Sequence, residues 1–188
     1  MQLNIYRQKT TRTLPQLGGL VNDSLHMTVG MMTELTELLS ALNNPVLDHV
    51  NIKEEIGDYM WYLSNYANIH GLDFLDKNKI LEIPKKQVDN SKLSRKIFED
   101  LIIKSGDLLD LDKKKFAYKR EYNNSTQVLL FNTCFALISQ YCELNDYDLE
   151  QIIETNINKL IARYPEKFTE NSANNRDLEN ERKVLENE

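Results

Sequence analysis

Apolar residues recur at helical spacing over much of this 188-residue chain. Of all the sequence features, this periodicity constrains the fold most strongly. Steps of three and four residues place side chains on one face of an α-helix, whereas a strand requires alternation. One stripe ends at Asn43-Asn44-Pro45 and a second near His70-Gly71, a typical helix stop. The stripes consist of Leu25, Val29, Met32, Leu35, Leu39 and Leu42, and of Ile52, Ile56, Met60, Leu63 and Ala67. Two long helices are therefore predicted in the first 75 residues.

The rest of the chain also favours helices. Six Gly and four Pro are few for this length, which argues against a turn-rich β fold. Helical patterns resume over residues 97–111, 126–142 and 149–163, and Pro165 stops the last of them. We expect an all-α helical bundle.

The composition divides the chain into four segments. Residues 1–75 form a first helical repeat that carries an acidic cluster, and residues 76–96 form a basic linker that contains Pro84. Residues 97–169 form a second helical repeat that ends in a basic helix. Residues 170–188 form a polar tail, which we expect to pack loosely.

A faint internal repeat relates the two helical segments. Residues 66–73 resemble residues 141–148, and Glu34-x-x-Glu37 falls opposite Asp107-x-x-Asp110. The counterpart of Glu55-x-x-Asp58 is Leu130-x-x-Thr133, which lacks carboxylates. Either the chain is an internally duplicated pseudo-dimer with a degenerate second half, or two amphipathic helix pairs align by chance.

Charge and hydropathy exclude some partners. The net charge of −6 disfavours a nucleic-acid surface, which needs an excess of Lys and Arg. The sequence shows no signal peptide and no apolar run of about twenty residues, so we expect a cytoplasmic protein without a membrane partner. Cys134 and Cys142 lie in an apolar helical stretch, which is typical of buried, reduced thiols.

Two acidic pairs on successive helices are the candidate metal site. Glu34 with Glu37, and Glu55 with Asp58, are each three residues apart and therefore share a helix face. Both pairs border an apolar stripe, where clustered carboxylates repel one another unless a cation binds them. Oxygen ligands without His or Cys favour Mg²⁺ or Mn²⁺ over zinc. The alternative is that these are ordinary solvated helix faces.

At these residues the chain resembles a known family. The two acidic pairs look like the metal motif of the all-α nucleoside triphosphate pyrophosphohydrolases, the MazG-like group. Residues Lys53–Leu63 are similar to the family's second metal helix, and Asn156–Pro165, with Phe168 and Asn175–Asp177, to its closing segment. The opening, Leu3–Tyr6 with Arg12-Thr13, is similar as well. The chain departs from a compact member by the long stretch between the second metal helix and the closing helix, which matches the suspected repeat in length.

The resemblance implies hydrolysis of a (d)NTP between its α- and β-phosphates, giving a nucleoside monophosphate and pyrophosphate. It implies that Glu34, Glu37, Glu55 and Asp58 hold Mg²⁺, or Mn²⁺, and that Glu37 or Glu54 acts as general base. Family members usually build their sites between subunits, so a homodimer or higher homo-oligomer is expected.

The resemblance also implies two sets of substrate contacts. The residues expected to reach the triphosphate are Asn156, Lys159 and Arg163. Those expected to contact the base are Trp61, Tyr62 and Asn65. The alternatives are cations that cap a helix C-terminus and aromatic side chains of the core.

Other functions remain open from the sequence. A dUTPase or dCTPase with narrow base specificity would carry the same motif. A catalytically inactive helical module for binding or regulation would keep the fold without the chemistry.

Overall fold

The apolar stripes are helices in the structure, a computed structural model that describes residues 1–76 and 90–186. Its elements are α1 Leu3–Thr10, a 3-10 helix Thr11–Thr13, α2 Leu20–Leu42, α3 His49–His70, α4 Asn90–Tyr118, α5 Asn124–Leu144, α6 Leu149–Arg163, α7 Glu170–Asn174 and α8 Leu178–Glu186. The described residues contain no strand, which confirms the all-α prediction. None of their helices is both long and apolar enough to cross a bilayer.

Local chemistry sets the ends of the two helices that carry most candidate residues. The Asp48 carboxylate accepts hydrogen bonds from the first free backbone N–H groups of α3, and Asp148 does the same for α6. Gly71 ends α3 in the left-handed conformation at φ 63°, which glycine adopts without steric cost. These caps fix where α3 and α6 begin and where α3 ends.

Helix packing brings the two halves of the chain together. Helix α2 packs along α3, α4 packs along α5, and α2 also contacts α4. Helix α6 lies against α3, and α8 lies against α6. The buried apolar side chains of α1 to α6 form one hydrophobic cluster. Segments 1–75 and 97–169 therefore share a core, and α6 carries residues of the second segment to α3.

The basic linker differs from the prediction. Residues 90–96 are the start of α4, a helix of 29 residues, rather than part of the linker. Ser94 is buried there and exchanges hydrogen bonds with the side chain of Asn145, the residue that follows α5. This contact holds the first turns of α4 against the end of α5. Residues 77–89, including Pro84, lie outside the described residues.

The polar tail differs as well. The tail contains α7 and α8, and α8 does not pack loosely, because its residues Glu181 and Leu185 are buried. The Arg182 guanidinium pairs with the Asp48 carboxylate at 2.8 Å between Nη1 and Oδ2. Glu181 and Arg182 of α8 have charged partners outside this helix, which composition alone does not reveal. Residues 187–188 lie outside the described part.

Candidate active site

Three glutamates from two helices converge on one point. Glu34 and Glu37 lie one turn apart on α2, and Glu55 meets them from α3. Each offers a carboxylate oxygen, and these oxygens all lie within 4.8 Å of one another. Glu55 is buried, Glu34 half-buried and Glu37 exposed, so the cluster runs from the core to solvent. Among the described residues, it is the one group of three acidic, His or Cys side chains with such spacing.

Negative charge in this cluster is poorly compensated. Burial, and then the charges of Asp58, Glu37 and Glu55, raise the pKa of Glu34 to about 9. Burial, followed by the charges of Asp58, Glu37 and Glu54, raises the pKa of Glu55 to about 7. A divalent cation would reverse this repulsion, and an all-carboxylate donor set suits Mg²⁺ or Mn²⁺. The residues present therefore fit such an ion.

Asp58 stands apart from the three glutamates. The sequence predicts it as a fourth metal ligand, but its carboxylate accepts hydrogen bonds from Lys159 at 2.5 Å and from Asn156 at 2.7 Å. Both donors belong to α6, which packs on this face of α3. Asp58 still lines the cavity described below, next to Glu34 and Glu37.

Lys159 is a fully buried cation between two carboxylates. Its side chain is 0% exposed, and Nζ donates to Glu54 at 3.1 Å and to Asp58 at 2.5 Å. Burial alone would lower the pKa of Lys159, but the charges of Asp58 and Glu54 outweigh it and the pKa is raised. Lys159 and Glu54 lie outside the lining of the cavity described below. Lys159, predicted to reach the triphosphate, here pairs with the carboxylates of Glu54 and Asp58 and offsets part of their charge.

Asn156 of α6 also holds Asp58 in place. It is buried, accepts a hydrogen bond from the Tyr6 hydroxyl at 2.8 Å and donates one to Asp58. Gly57 permits this approach of α6, because a Cβ at that position would lie 3.0 Å from the Asn156 Cβ. Asn156 thus links α1, α3 and α6.

Two members of the glutamate cluster, Glu34 and Glu37, line a cavity of about 480 Å³, whereas Glu55 does not line it. Acidic, aromatic and cationic side chains share its walls. The lining residues that bear on function are Glu34, Glu37, Asp58, His26, Trp61, Tyr62, Tyr164, Phe168, Arg163 and Arg176. They come from both halves of the chain, so a single chain builds the cavity.

Of the three residues predicted to contact a base, two line the cavity. The Trp61 and Tyr62 rings meet edge to face, and the Trp61 indole N–H donates to the Thr13 hydroxyl at 2.9 Å. Asn65 does not line it: it is fully buried, and its side-chain oxygen accepts from Thr10 at 3.2 Å. Helix α1 packs over Asn65, whereas Trp61 and Tyr62 line the cavity.

Glu181 and His26 are residues that sequence reasoning missed. Arg163 forms a bidentate ion pair with Glu181, and Arg176 pairs with the same carboxylate. Burial alone would raise the pKa of Glu181, but these hydrogen bonds outweigh it and the pKa is lowered. The ring of His26 packs edge to face on Tyr62. No spacing rule singles out either residue, although Arg176 lies in the segment that resembles the family's closing motif.

The acidic pair of the second segment has a different environment. Asp107 pairs with Lys104 at 2.9 Å, and Asp110 pairs with both Lys113 and Lys114. These ion pairs are at least partly exposed to solvent. Lysines thus neutralise the acidic pair that falls opposite Glu34 and Glu37 in the suspected repeat.

Substitutions at Gly30 and Gly106 test how closely α2 packs against Tyr62, a residue that lines the cavity. A Cβ at Gly30 would lie 2.1 Å from the Tyr62 ring, whereas a Cβ at Gly106 in α4 would meet nothing within 4 Å. We expect Gly30→Ala to displace Tyr62 and to lower the free energy of unfolding by about 1–3 kcal/mol. Gly106→Ala should raise it by about 0.5–1 kcal/mol, because alanine favours a helix. Chemical denaturation of both variants measures the difference, and equal shifts would contradict the close contact.

Comparison with known proteins adds no assignment: no protein-family model, curated protein or solved structure matches this chain.

Proposed function

We propose that this chain is a Mg²⁺-dependent nucleoside triphosphate pyrophosphohydrolase that cleaves a (d)NTP to a (d)NMP and pyrophosphate. The observation that carries the proposal is a cluster of three glutamates, two of which line a cavity that also contains two arginines and four aromatic rings. A metal-bound triphosphate needs carboxylates for the ion, cations for remaining phosphate charge and an apolar wall for the base. The order of motifs that resembles the MazG-like group supports the same reaction.

The glutamates have the role of holding the ion. Glu34, Glu37 and Glu55 would bind it. When bound, Mg²⁺ supplies charge neutralisation at phosphate oxygens and lowers the pKa of a coordinated water. Lys159 and Asn156 each donate to one oxygen of Asp58 and so hold this residue in place where it lines the cavity.

The same cavity provides a candidate general base. Glu37 is exposed and lines the cavity, whereas Glu54 is engaged by Lys159 and does not line it. A base must lie within hydrogen-bond reach of the water whose proton it takes, which favours Glu37 over Glu54. The water attacks the α-phosphorus, its proton passes to the base, and pyrophosphate leaves.

Aromatic side chains give the cavity a wall suited to a nucleobase. Tyr164 packs against Phe168 with ring centroids 5.5 Å apart, and Trp61 and Tyr62 line the same cavity. Base stacking on aromatic rings tolerates every base, so these rings fit either a broad or a narrow specificity. Arg12 donates to the carbonyl oxygens of Leu160 and Tyr164 and thereby fixes the end of α6 that carries this wall.

The test is a panel of the common ribo- and deoxyribonucleoside triphosphates, assayed with Mg²⁺ and with chelator. We expect Mg²⁺-dependent release of pyrophosphate and of the nucleoside monophosphate, with no orthophosphate. Turnover restricted to dUTP or dCTP would identify an enzyme of the dUTPase or dCTPase type. If no nucleotide is turned over, or if orthophosphate is the product, the proposal is wrong.

A further inference from the structure

Glu181 is a buried carboxylate that touches the cavity only through two arginines. It is 3% exposed and does not line the cavity, whereas Arg163 and Arg176 both do. Arg163 donates from Nε to Oε1 at 2.9 Å and from Nη2 to Oε2 at 2.5 Å. Arg176 donates from Nη2 to the same Oε2 at 2.7 Å. Glu181 therefore joins two cations that come from different parts of the chain.

The negative charge of Glu181 allows the two arginines to lie close together. Two guanidinium groups on one wall repel each other, and a carboxylate between them removes that repulsion while leaving a net positive charge. The bidentate pair uses two of the three guanidinium nitrogens of Arg163, so the third is not engaged by Glu181. Arg176 gives only one nitrogen to Glu181. Both arginines keep N–H groups with which to bind a second anion.

The groups that line the cavity with the two arginines indicate which kind of anion binds there. They line the same cavity as Glu34 and Glu37, so a ligand there meets both carboxylates and cations. A phosphate chain that carries a divalent cation along part of its length fits both kinds of group. Planar guanidinium groups suit phosphate oxygens better than a point charge does.

We propose that Glu181 is a positioning residue, which holds Arg163 and Arg176 side by side as a binding site for the phosphate chain of the substrate. The identity of the chain as that of a nucleotide rests on the proposed function above. Helix α8 is then part of the binding apparatus, because it delivers this carboxylate behind the cavity wall.

A purely structural role for Glu181 would be to anchor α8 to the bundle. The chain offers a matched control for that role, because Arg182 of α8 pairs with Asp48 and does not line the cavity. Removing either ion pair loosens α8, but only the loss of Glu181 releases the two arginines. Leu185 is buried in both variants and keeps α8 attached to the bundle.

The experiment measures the affinity of the full chain for inorganic tripolyphosphate at fixed free Mg²⁺, by calorimetry. Tripolyphosphate has no base, so the measurement is independent of base preference. We expect Glu181→Gln to weaken binding by about tenfold or more, as losing the support of a binding group commonly does. Arg182→Ala should change it by less than about twofold, since its ion pair is at the surface. Glu181→Asp, which keeps the charge, should restore part of the loss.

A double-mutant cycle completes the test. If Glu181 acts through the arginines, Glu181→Gln should weaken binding less in an Arg176→Ala background than in the wild-type chain. Equal losses in Glu181→Gln and Arg182→Ala, or wild-type affinity in Glu181→Gln, would overturn the proposal. A different result would show that the proposed function is wrong. In that case no nucleotide would be hydrolysed, while the Glu181 variants would still alter the binding of tripolyphosphate.

Discussion

Replacing Glu55 with Gln is expected to abolish Mg²⁺-dependent pyrophosphate release while leaving the bundle folded. Glu55 is the buried member of the glutamate cluster and the one that α3 contributes. A metal ion stabilises developing phosphate charge by several kcal/mol, and ~1.4 kcal/mol changes a rate tenfold, so we expect a loss on the order of 10³-fold. Steady-state assays with the preferred nucleotide measure the change.

The same substitution should stabilise the metal-free protein. Burial and neighbouring carboxylates raise the pKa of Glu55 to about 7, so its ionised form opposes folding at pH 8. A neutral Gln removes that cost, and we expect the free energy of unfolding at pH 8 to rise by about 1–3 kcal/mol in chelator.

Glu99→Gln is the matched control for Glu55→Gln. Glu99 is exposed on α4 and pairs only locally with Arg95 at 3.1 Å, so its loss should leave both activity and stability nearly unchanged. Turnover by Glu55→Gln within tenfold of the wild type would contradict the metal-ligand role. Loss of the helical circular dichroism signal would contradict the expected gain in stability.

Sequence periodicity predicted the glutamate cluster because the determinants are local. Glu34 and Glu37 share a face of α2 by their three-residue spacing, and a short connection brings α3 alongside. The apolar stripes indicate which face is buried, and the acidic pairs border those stripes. A local pattern is therefore enough to place three of the four predicted ligands together.

The remaining details depend on contacts between distant segments. Periodicity places Asp58 and Asn65 on one side of α3, but it cannot tell that α6 supplies Lys159 to Asp58 or that α1 covers Asn65. Burial of Lys159 is stable only because two carboxylates surround it, a pairing that no spacing rule reveals. Composition likewise gives no sign that α8 docks through Glu181.

Raising the pH from 6.5 to 9 without metal is expected to destabilise the protein, and Mg²⁺ is expected to reverse the effect. Glu34 has its pKa raised from 4.5 to about 9, because burial and then the neighbouring carboxylates disfavour its ionised form. Over this range the folded state holds a proton that the unfolded state has lost, so stability falls as pH rises. Each pKa unit is worth ~1.4 kcal/mol, so the loss reaches the order of several kcal/mol, or about 10 °C in Tm.

The pH window separates this effect from that of His70. Burial lowers the pKa of His70 to about 4, so its contribution makes stability rise with pH only up to about 6.5, where the unfolded His loses its proton. Above that pH the slope reports the glutamates, and near pH 9 Cys134 adds to it, because burial raises the pKa of its thiol to about 11. Thermal melts at pH 6.5 and 9, in chelator and in Mg²⁺, should show a metal-induced rise in Tm that is larger at pH 9, because the ion binds ionised carboxylates. Glu34→Gln should flatten the metal-free slope, whereas a slope unchanged in that variant would assign the destabilisation to other groups.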